Sequence, residues 1–106
     1  MAKVEVRNYI VYFVRCKNGA LYCGITNNPW RRWYQHLEGK GAKSVRMMGG
    51  PIEMRIIDEH LSKSDALKIE FRKKQLKKSD KEELWATACL LRTAHGDEAK
   101  VEDLCQ

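Results

Sequence analysis

The 106-residue chain is 43% hydrophobic and 32% charged, which fits one compact domain and excludes disordered and fibrous classes. Its formal charge of +6 is uneven: residues 1–92 hold 19 Lys/Arg against 10 Asp/Glu, whereas 93–106 hold one against four. A basic surface of this kind concentrates polyanions, nucleic acid being the commonest, although an anionic membrane or solubility alone would give the same count.

In chain order, residues 9–16, YIVYFVRC, form a β-branched and aromatic run, and LYCGIT at 21–26 a second. Asn18-Gly19 lies between them, and both residues tolerate the positive φ of a tight turn, so the segment reads as a hairpin. Asn28-Pro29 reads as an N-cap followed by proline at the first helical position, opening a helix that Gly39 and Gly41 end. Gly39 to Gly50, GKGAKSVRMMGG, holds four glycines, three basic residues and no acid, and is expected to be a flexible cationic loop. From Pro51, Ile52, Met54 and Ile56 alternate with Glu53 and Arg55 as in a half-buried strand. Ser62 or Ser64 can cap a helix through about residue 77, and Ser79 with Glu82 has the form of a capping box for another. The order is β-β-α-β-α-α, with a basic domain over 1–92 and an acidic tail over 93–106.

Projection of the helices singles out particular side chains. In the helix after Ser62, Ala66 and Ile69 fall on one side of Glu70 and Leu67 and Phe71 on the other, which places a carboxylate near the centre of an apolar arc. An unpaired buried carboxylate is costly, so Glu70 would either protonate or need a cation, an arginine or a metal beside it; Lys73 or Lys74 one turn on would make it a structural salt bridge. In the helix after Asn28, Trp30, Trp33, Tyr34 and Leu37 project to one side and read as core. Arg32, Gln35 and His36 share the other, where plain solvent exposure competes with a phosphate clamp. Tyr12 and Tyr22 in the strands read as amphipathic fillers when taken singly.

Other chemistries are excluded. No phosphate-binding loop of the form G-x-x-x-x-G-K-[ST] and no G-x-S-x-G elbow occurs. Cys16, Cys23, Cys89 and Cys105 show no C-x-x-C spacing, so all four read as free thiols. No apolar run nears the roughly 20 residues of a bilayer span, and MAKVEVRN lacks a signal-peptide core, so a cytoplasmic protein without membrane attachment or an obligate protein partner is expected.

The ordered set Tyr12, then Tyr22-Cys23-Gly24, then Arg32 and His36 eight and twelve residues after that glycine, then Glu70 in a later helix, resembles the GIY-YIG nuclease family. Ile10-Val11-Tyr12 is similar to the first signature triad and Tyr22-Cys23-Gly24 to the second. The resemblance spans about residues 8 to 80, and LYCGIT, RRWYQH, GKGAKSVR and SDALKIEFRKKQLKK are most similar to the short stand-alone bacterial members. Two positions depart mildly, Ile10 for glycine and Cys23 for isoleucine or valine, and no residue matches the asparagine that many members carry after the second helix.

The resemblance implies an α+β fold, a small three-stranded antiparallel sheet flanked by helices, and a Mg²⁺ (or Mn²⁺) ion held by Glu70. It further implies an endonuclease or exonuclease that hydrolyses DNA phosphodiester bonds in repair or turnover. Tyr12 would take the proton of the attacking water, its pKa lowered by Arg32 and the metal; Tyr22 would position that water or the phosphate. Arg32 would bind the scissile phosphate, with His36 beside it. Lys40, Lys43 and Arg46 of the cationic loop, with Arg72, Lys73, Lys74 and Lys77, would track the nucleic-acid backbone. The alternative is a catalytically silent nucleic-acid-binding module of the same fold.

Overall fold

The structure, a computed structural model, describes residues 6–93. The acidic stretch and Cys105 lie outside these residues, apart from Thr93. Strands β1 (Tyr9–Cys16) and β2 (Leu21–Thr26) form the expected hairpin, in a register that sets Tyr12 opposite Gly24 and Phe13 opposite Cys23. Gly19 supplies the positive φ of 91° at the turn, and the Asn18 side chain accepts from the Ala20 amide at 2.9 Å. Strand β3 (Pro51–Leu61) pairs antiparallel with β1 on its other side, completing the expected three-stranded sheet. A fourth strand, β4 (Cys89–Thr93), extends it beyond β3, giving the order β2-β1-β3-β4.

Alternate residues of the central strand feed two cores. Ile10, Tyr12, Val14 and Cys16 pack on one face beneath α1 (Pro29–Leu37) and α2 (Lys43–Met47), chiefly through Trp33 and Val45. Val11 and Phe13 pack on the other beneath α3 (Lys63–Lys74) and α4 (Lys78–Thr87), through Ala66 and Trp85. Cys16 and Cys23, although close along the hairpin, therefore point into different cores, and both are free thiols, as is Cys89.

The caps follow local chemistry in two helices. The Asn28 side chain accepts from the Arg31 amide at the start of α1, and Ser62, not Ser64, accepts from the Asp65 amide at the start of α3. Helix α3 ends at Lys74, short of residue 77. The capping box at Ser79 does not form: α4 starts at Lys78 without a side-chain cap. Glu82 instead grips Arg15 through two bonds of 2.6 and 2.5 Å, a bidentate ion pair stronger than a cap bond. Arg15 and Arg55 also place their guanidinium carbons 5.0 and 4.5 Å from the Trp85 ring centroid, fixing α4 on the sheet.

Three further sequence expectations are corrected. The glycine-rich segment 39–50 is not an open loop, because it contains α2, buries Val45, and binds the hairpin turn through Lys17 N to Gly50 O and Asn18 N to Met48 O. Helix α1 is turned differently: Trp33 and His36 face inward, while Trp30, Tyr34 and Leu37 are 40%, 44% and 40% exposed. Glu70 lies at the margin of the buried face of α3 and not at its centre, since Leu67 and Phe71 are exposed.

Candidate active site

The turn of α1 toward the sheet brings three of the singled-out residues into bonding contact. Arg32 and His36 lie one turn apart on the inward side of the helix, so both reach down to the same strand residue. Arg32 Nε donates to Tyr12 Oη at 3.2 Å, and Tyr12 Oη lies 3.0 Å from His36 Nε2. Gln35 accepts from Arg32 Nη1 at 3.1 Å and holds the guanidinium from the other side. Because Arg32 can only donate, the Tyr12 proton is available to His36, which a neutral imidazole accepts.

Gly24 explains how Tyr12 lies so close to the neighbouring strand. A Cβ at residue 24 would stand 2.5 Å from Tyr12 Oη and 3.0 Å from the Tyr22 ring, so any side chain there would displace the hydroxyl. Tyr22 stands beside the pair, its ring centroid 6.3 Å from that of Tyr12 and 5.7 Å from that of His36. Lys74 Nζ lies 5.9 Å from the Tyr22 centroid and 3.6 Å from Glu70 Oε2. Glu70 thus belongs to the same neighbourhood through Lys74 and Tyr22, reached from the opposite face of the sheet. Its side chain is 18% exposed.

Electrostatics differ from the sequence expectation at Tyr12. Burial pushes its hydroxyl well above its ordinary pKa, and the hydrogen bond from Arg32 offsets only part of that rise. At His36, burial and then the Arg32 charge depress the pKa to about 4. Burial pulls the Arg32 guanidinium down, but the Tyr12 hydroxyl bond and the fields of Tyr12 and Tyr22 outweigh it, leaving the group raised. At neutral pH the network therefore holds a protonated tyrosine, a neutral imidazole and a fixed cation.

One positioning residue carries no signal in side-chain chemistry. Gly41 has an ordinary φ, yet a Cβ there would come 2.5 Å from His36 Nδ1 and 3.0 Å from Cε1. His36 Nδ1 is itself one of two buried side-chain nitrogens without a hydrogen-bond partner among the described residues, the other being Trp33 Nε1. The backbone at 41 is pressed against the imidazole and keeps it on Tyr12. In the sequence Gly41 reads only as a helix terminator.

The residues expected to track a backbone are scattered. Lys40 pairs with Glu38 at 3.5 Å, and Lys43 is exposed on α2. Arg46 lines a cleft of about 380 Å³ with His36 and Lys17. Arg72 is exposed, Lys73 lines a hollow that also holds Asp80 and Glu83, Lys74 pairs with Glu70, and Lys77 precedes α4. The tract 72–77 is thus not one cationic face.

For a divalent ion, no cluster of three His, Cys, Asp or Glu side chains occurs among the described residues. Glu70 offers a carboxylate that Lys74 links to Tyr22, and that fits Mg²⁺, which commonly takes one or two carboxylates and completes its shell with water and substrate phosphate. The Lys74 ammonium at 3.6 Å is a loose neighbour that a cation could replace.

Residues 8–83 match the GIY-YIG catalytic domain. The chain is 50% identical over 82 residues to a UPF0213 protein of Vibrio cholerae serotype O1, covering 74% of this chain and 77% of that one. It is 43% identical over 85 residues to a UPF0213 protein of Neisseria gonorrhoeae, covering 80% and 92% respectively. A UPF0213 protein of Vibrio campbellii is 36% identical over 96 residues, covering 91% of each chain. No solved structure matches. No helix among the described residues is long and apolar enough to cross a membrane.

Proposed function

The chain belongs to the GIY-YIG family, and from that premise we propose that it is a metal-dependent nuclease that hydrolyses DNA phosphodiester bonds at the Arg32–Tyr12–His36 network. The observation that carries this reading is the continuous chain of bonds from Arg32 Nε through Tyr12 Oη to His36 Nε2, at 3.2 and 3.0 Å. A core tyrosine needs only one partner to satisfy its hydroxyl. Two partners of opposite function, a fixed cation and a neutral base, are what a proton relay requires.

In the resting state Tyr12 is fully buried and its hydroxyl is covered by Arg32. Arg32 moves from Tyr12 onto the scissile phosphate, which stabilises the charge developing there and opens the hydroxyl to the attacking water. As the water oxygen bonds to phosphorus, its proton passes to Tyr12 Oη while the Tyr12 proton passes to His36 Nε2. The phosphorus–oxygen bond to the leaving sugar breaks, and that oxygen takes a proton from solvent. The relay avoids a free phenolate, which the burial of Tyr12 disfavours. Tyr22 flanks the water and the phosphate. Glu70 is the residue that would hold Mg²⁺ or Mn²⁺, which when bound supplies Lewis-acid stabilisation of the phosphate and the leaving oxygen.

A catalytically silent nucleic-acid-binding module is the competing reading, and it draws on the Lys74–Glu70 pair, which gives the carboxylate a structural partner. One panel separates the two. Labelled single-stranded, duplex and branched DNA, with RNA alongside, is incubated with the protein and Mg²⁺ or Mn²⁺. Metal-dependent cleavage of any DNA member is the expected result; binding without cleavage across the panel selects the silent module.

A further inference from the structure

Beside the network, lined by Arg32 but not by His36, lies a cleft of about 300 Å³ that has no assigned role. It is lined by Arg31, Arg32 and Lys63, with the amide side chains of Asn27, Asn28 and Gln35, and no carboxylate among its lining residues. Three cations converge there from two different elements, α1 and the first residue of α3. Arg31 and Lys63 are exposed, and among the described residues neither forms an ion pair such as those that occupy Lys40 and Lys74.

We infer that this cleft is the subsite for the phosphodiester next to the scissile one, so that the substrate strand passes from Arg32 along Arg31 toward Lys63. This inference rests on the nuclease reading and adds where the strand lies. Arg32 ties the two places together, because it lines the cleft and also bonds Tyr12 in the network. Consecutive phosphates of a strand carry one charge each about every 3.4 Å of helix axis, so a phosphate held by Arg32 puts the next within reach of neighbouring cations. The amide groups of Asn27 and Asn28 suit phosphate and sugar oxygens, contacts that position a strand without reading its sequence. The volume, at the lower end for small-ligand pockets, suits a single nucleotide unit. The route differs from the one the family resemblance implied, which ran over Lys40, Lys43 and Arg46 and over residues 72–77.

The test measures binding of a fluorescein-labelled oligonucleotide by anisotropy across a salt series, with EDTA present to stop cleavage. The cleft variant is Arg31→Gln with Lys63→Gln. The charge-matched comparison is Lys68→Gln with Lys81→Gln, two lysines outside the cleft. All four side chains lie at least partly in solvent, and thermal melts verify that both proteins fold. The cleft variant is expected to weaken binding by about tenfold and to lower the salt slope by about 1.5, the release expected for two lost phosphate contacts. The comparison protein should change less than threefold, by the same salt-release rule. In cleavage assays with Mg²⁺ the cleft variant should raise KM more than it lowers kcat. Equal effects of the two doubles on affinity and slope overturn the subsite while leaving the nuclease reading in place. A wild-type protein that binds no oligonucleotide overturns both.

Discussion

Replacing Gly41 by alanine probes the packing that holds His36 on Tyr12. The added methyl would lie 2.5 Å from His36 Nδ1, 3.0 Å from Cε1 and 3.1 Å from Cγ, whereas ordinary carbon contacts lie at about 3.5–4.0 Å. Relief needs a shift of about 1 Å, and the ring has little room, with Tyr12 Oη at 3.0 Å and the Tyr22 ring centroid at 5.7 Å. Overpacking of this kind costs about 1–3 kcal/mol, which in a domain of this size lowers Tm by roughly 4–8 °C per kcal/mol. A shift of that size takes His36 Nε2 out of its present geometry with Tyr12 Oη and spoils the bond between them, and loss of a proton-transfer partner lowers kcat by about 100-fold. Gly39→Ala is the comparison. Its cost comes from a φ of 75°, while its Cβ would meet only the Arg46 side chain, at 3.5 Å or more, so Tm should fall by a similar amount with kcat near wild type. Melting curves and single-turnover cleavage of the two variants decide the matter. A Gly41→Ala protein with wild-type Tm and kcat refutes the placement of His36, and one that loses Tm but keeps kcat refutes its part in the chemistry.

Acid titration tests the same residue by another route. His36 falls from its ordinary 6.5 to about 4 in the folded chain, so between those values the unfolded chain binds a proton that the folded chain refuses. Its contribution is complete above pH 6.5, declines as pH falls and is gone below about 4, worth about 3 kcal/mol in all. Urea denaturation at pH 7 and 4.5 should show a smaller pH difference in His36→Gln than in wild type; identical differences would mean that His36 is not buried neutral. Arg32→Ala should lower kcat by about 10²–10³-fold with a smaller change in KM, as expected for a group acting on transition-state charge; equal losses in affinity and rate would make Arg32 a plain phosphate contact. Calorimetric titration of Mg²⁺ should give weak binding to the free protein and tighter binding with a phosphorothioate oligonucleotide present, because Glu70 offers a single carboxylate. Tight binding without the oligonucleotide would require ligands beyond Glu70.

The parts of the fold legible in the sequence are those dictated locally. The hairpin follows from two β-branched runs around Asn18-Gly19, and the strand bounds 9–16 and 21–26 agree with the structure. Asn28 and Ser62 cap because their side-chain oxygens reach amides three residues on. What stayed hidden depends on partners distant in sequence. Strand β4 forms by pairing with β3 across more than 30 residues of chain, and α2 is held by Val45 in the core and by backbone bonds to the hairpin turn.

Counting apolar residues also turned α1 the wrong way. His36 is hydrophilic in isolation and is buried here because it is neutral and bonded to Tyr12, which in turn leaves Trp30 and Tyr34 half in solvent. For the site, the resemblance to the GIY-YIG family set Tyr12, Tyr22, Arg32 and His36 beside one another where periodicity left them ordinary, and in the structure they are neighbours. Glu70 was conspicuous for its position among apolar residues, two of which prove to be exposed. The rise of the Tyr12 pKa follows from complete burial of its ring, a tertiary property that no local pattern encodes.

The central claim, hydrolysis supported by a cation at Glu70, is tested most directly by Glu70→Ala on labelled DNA with Mg²⁺ or Mn²⁺. The account predicts that cleavage disappears while the melting curve and oligonucleotide affinity stay close to wild type. Cleavage by Glu70→Ala at the wild-type rate would contradict it.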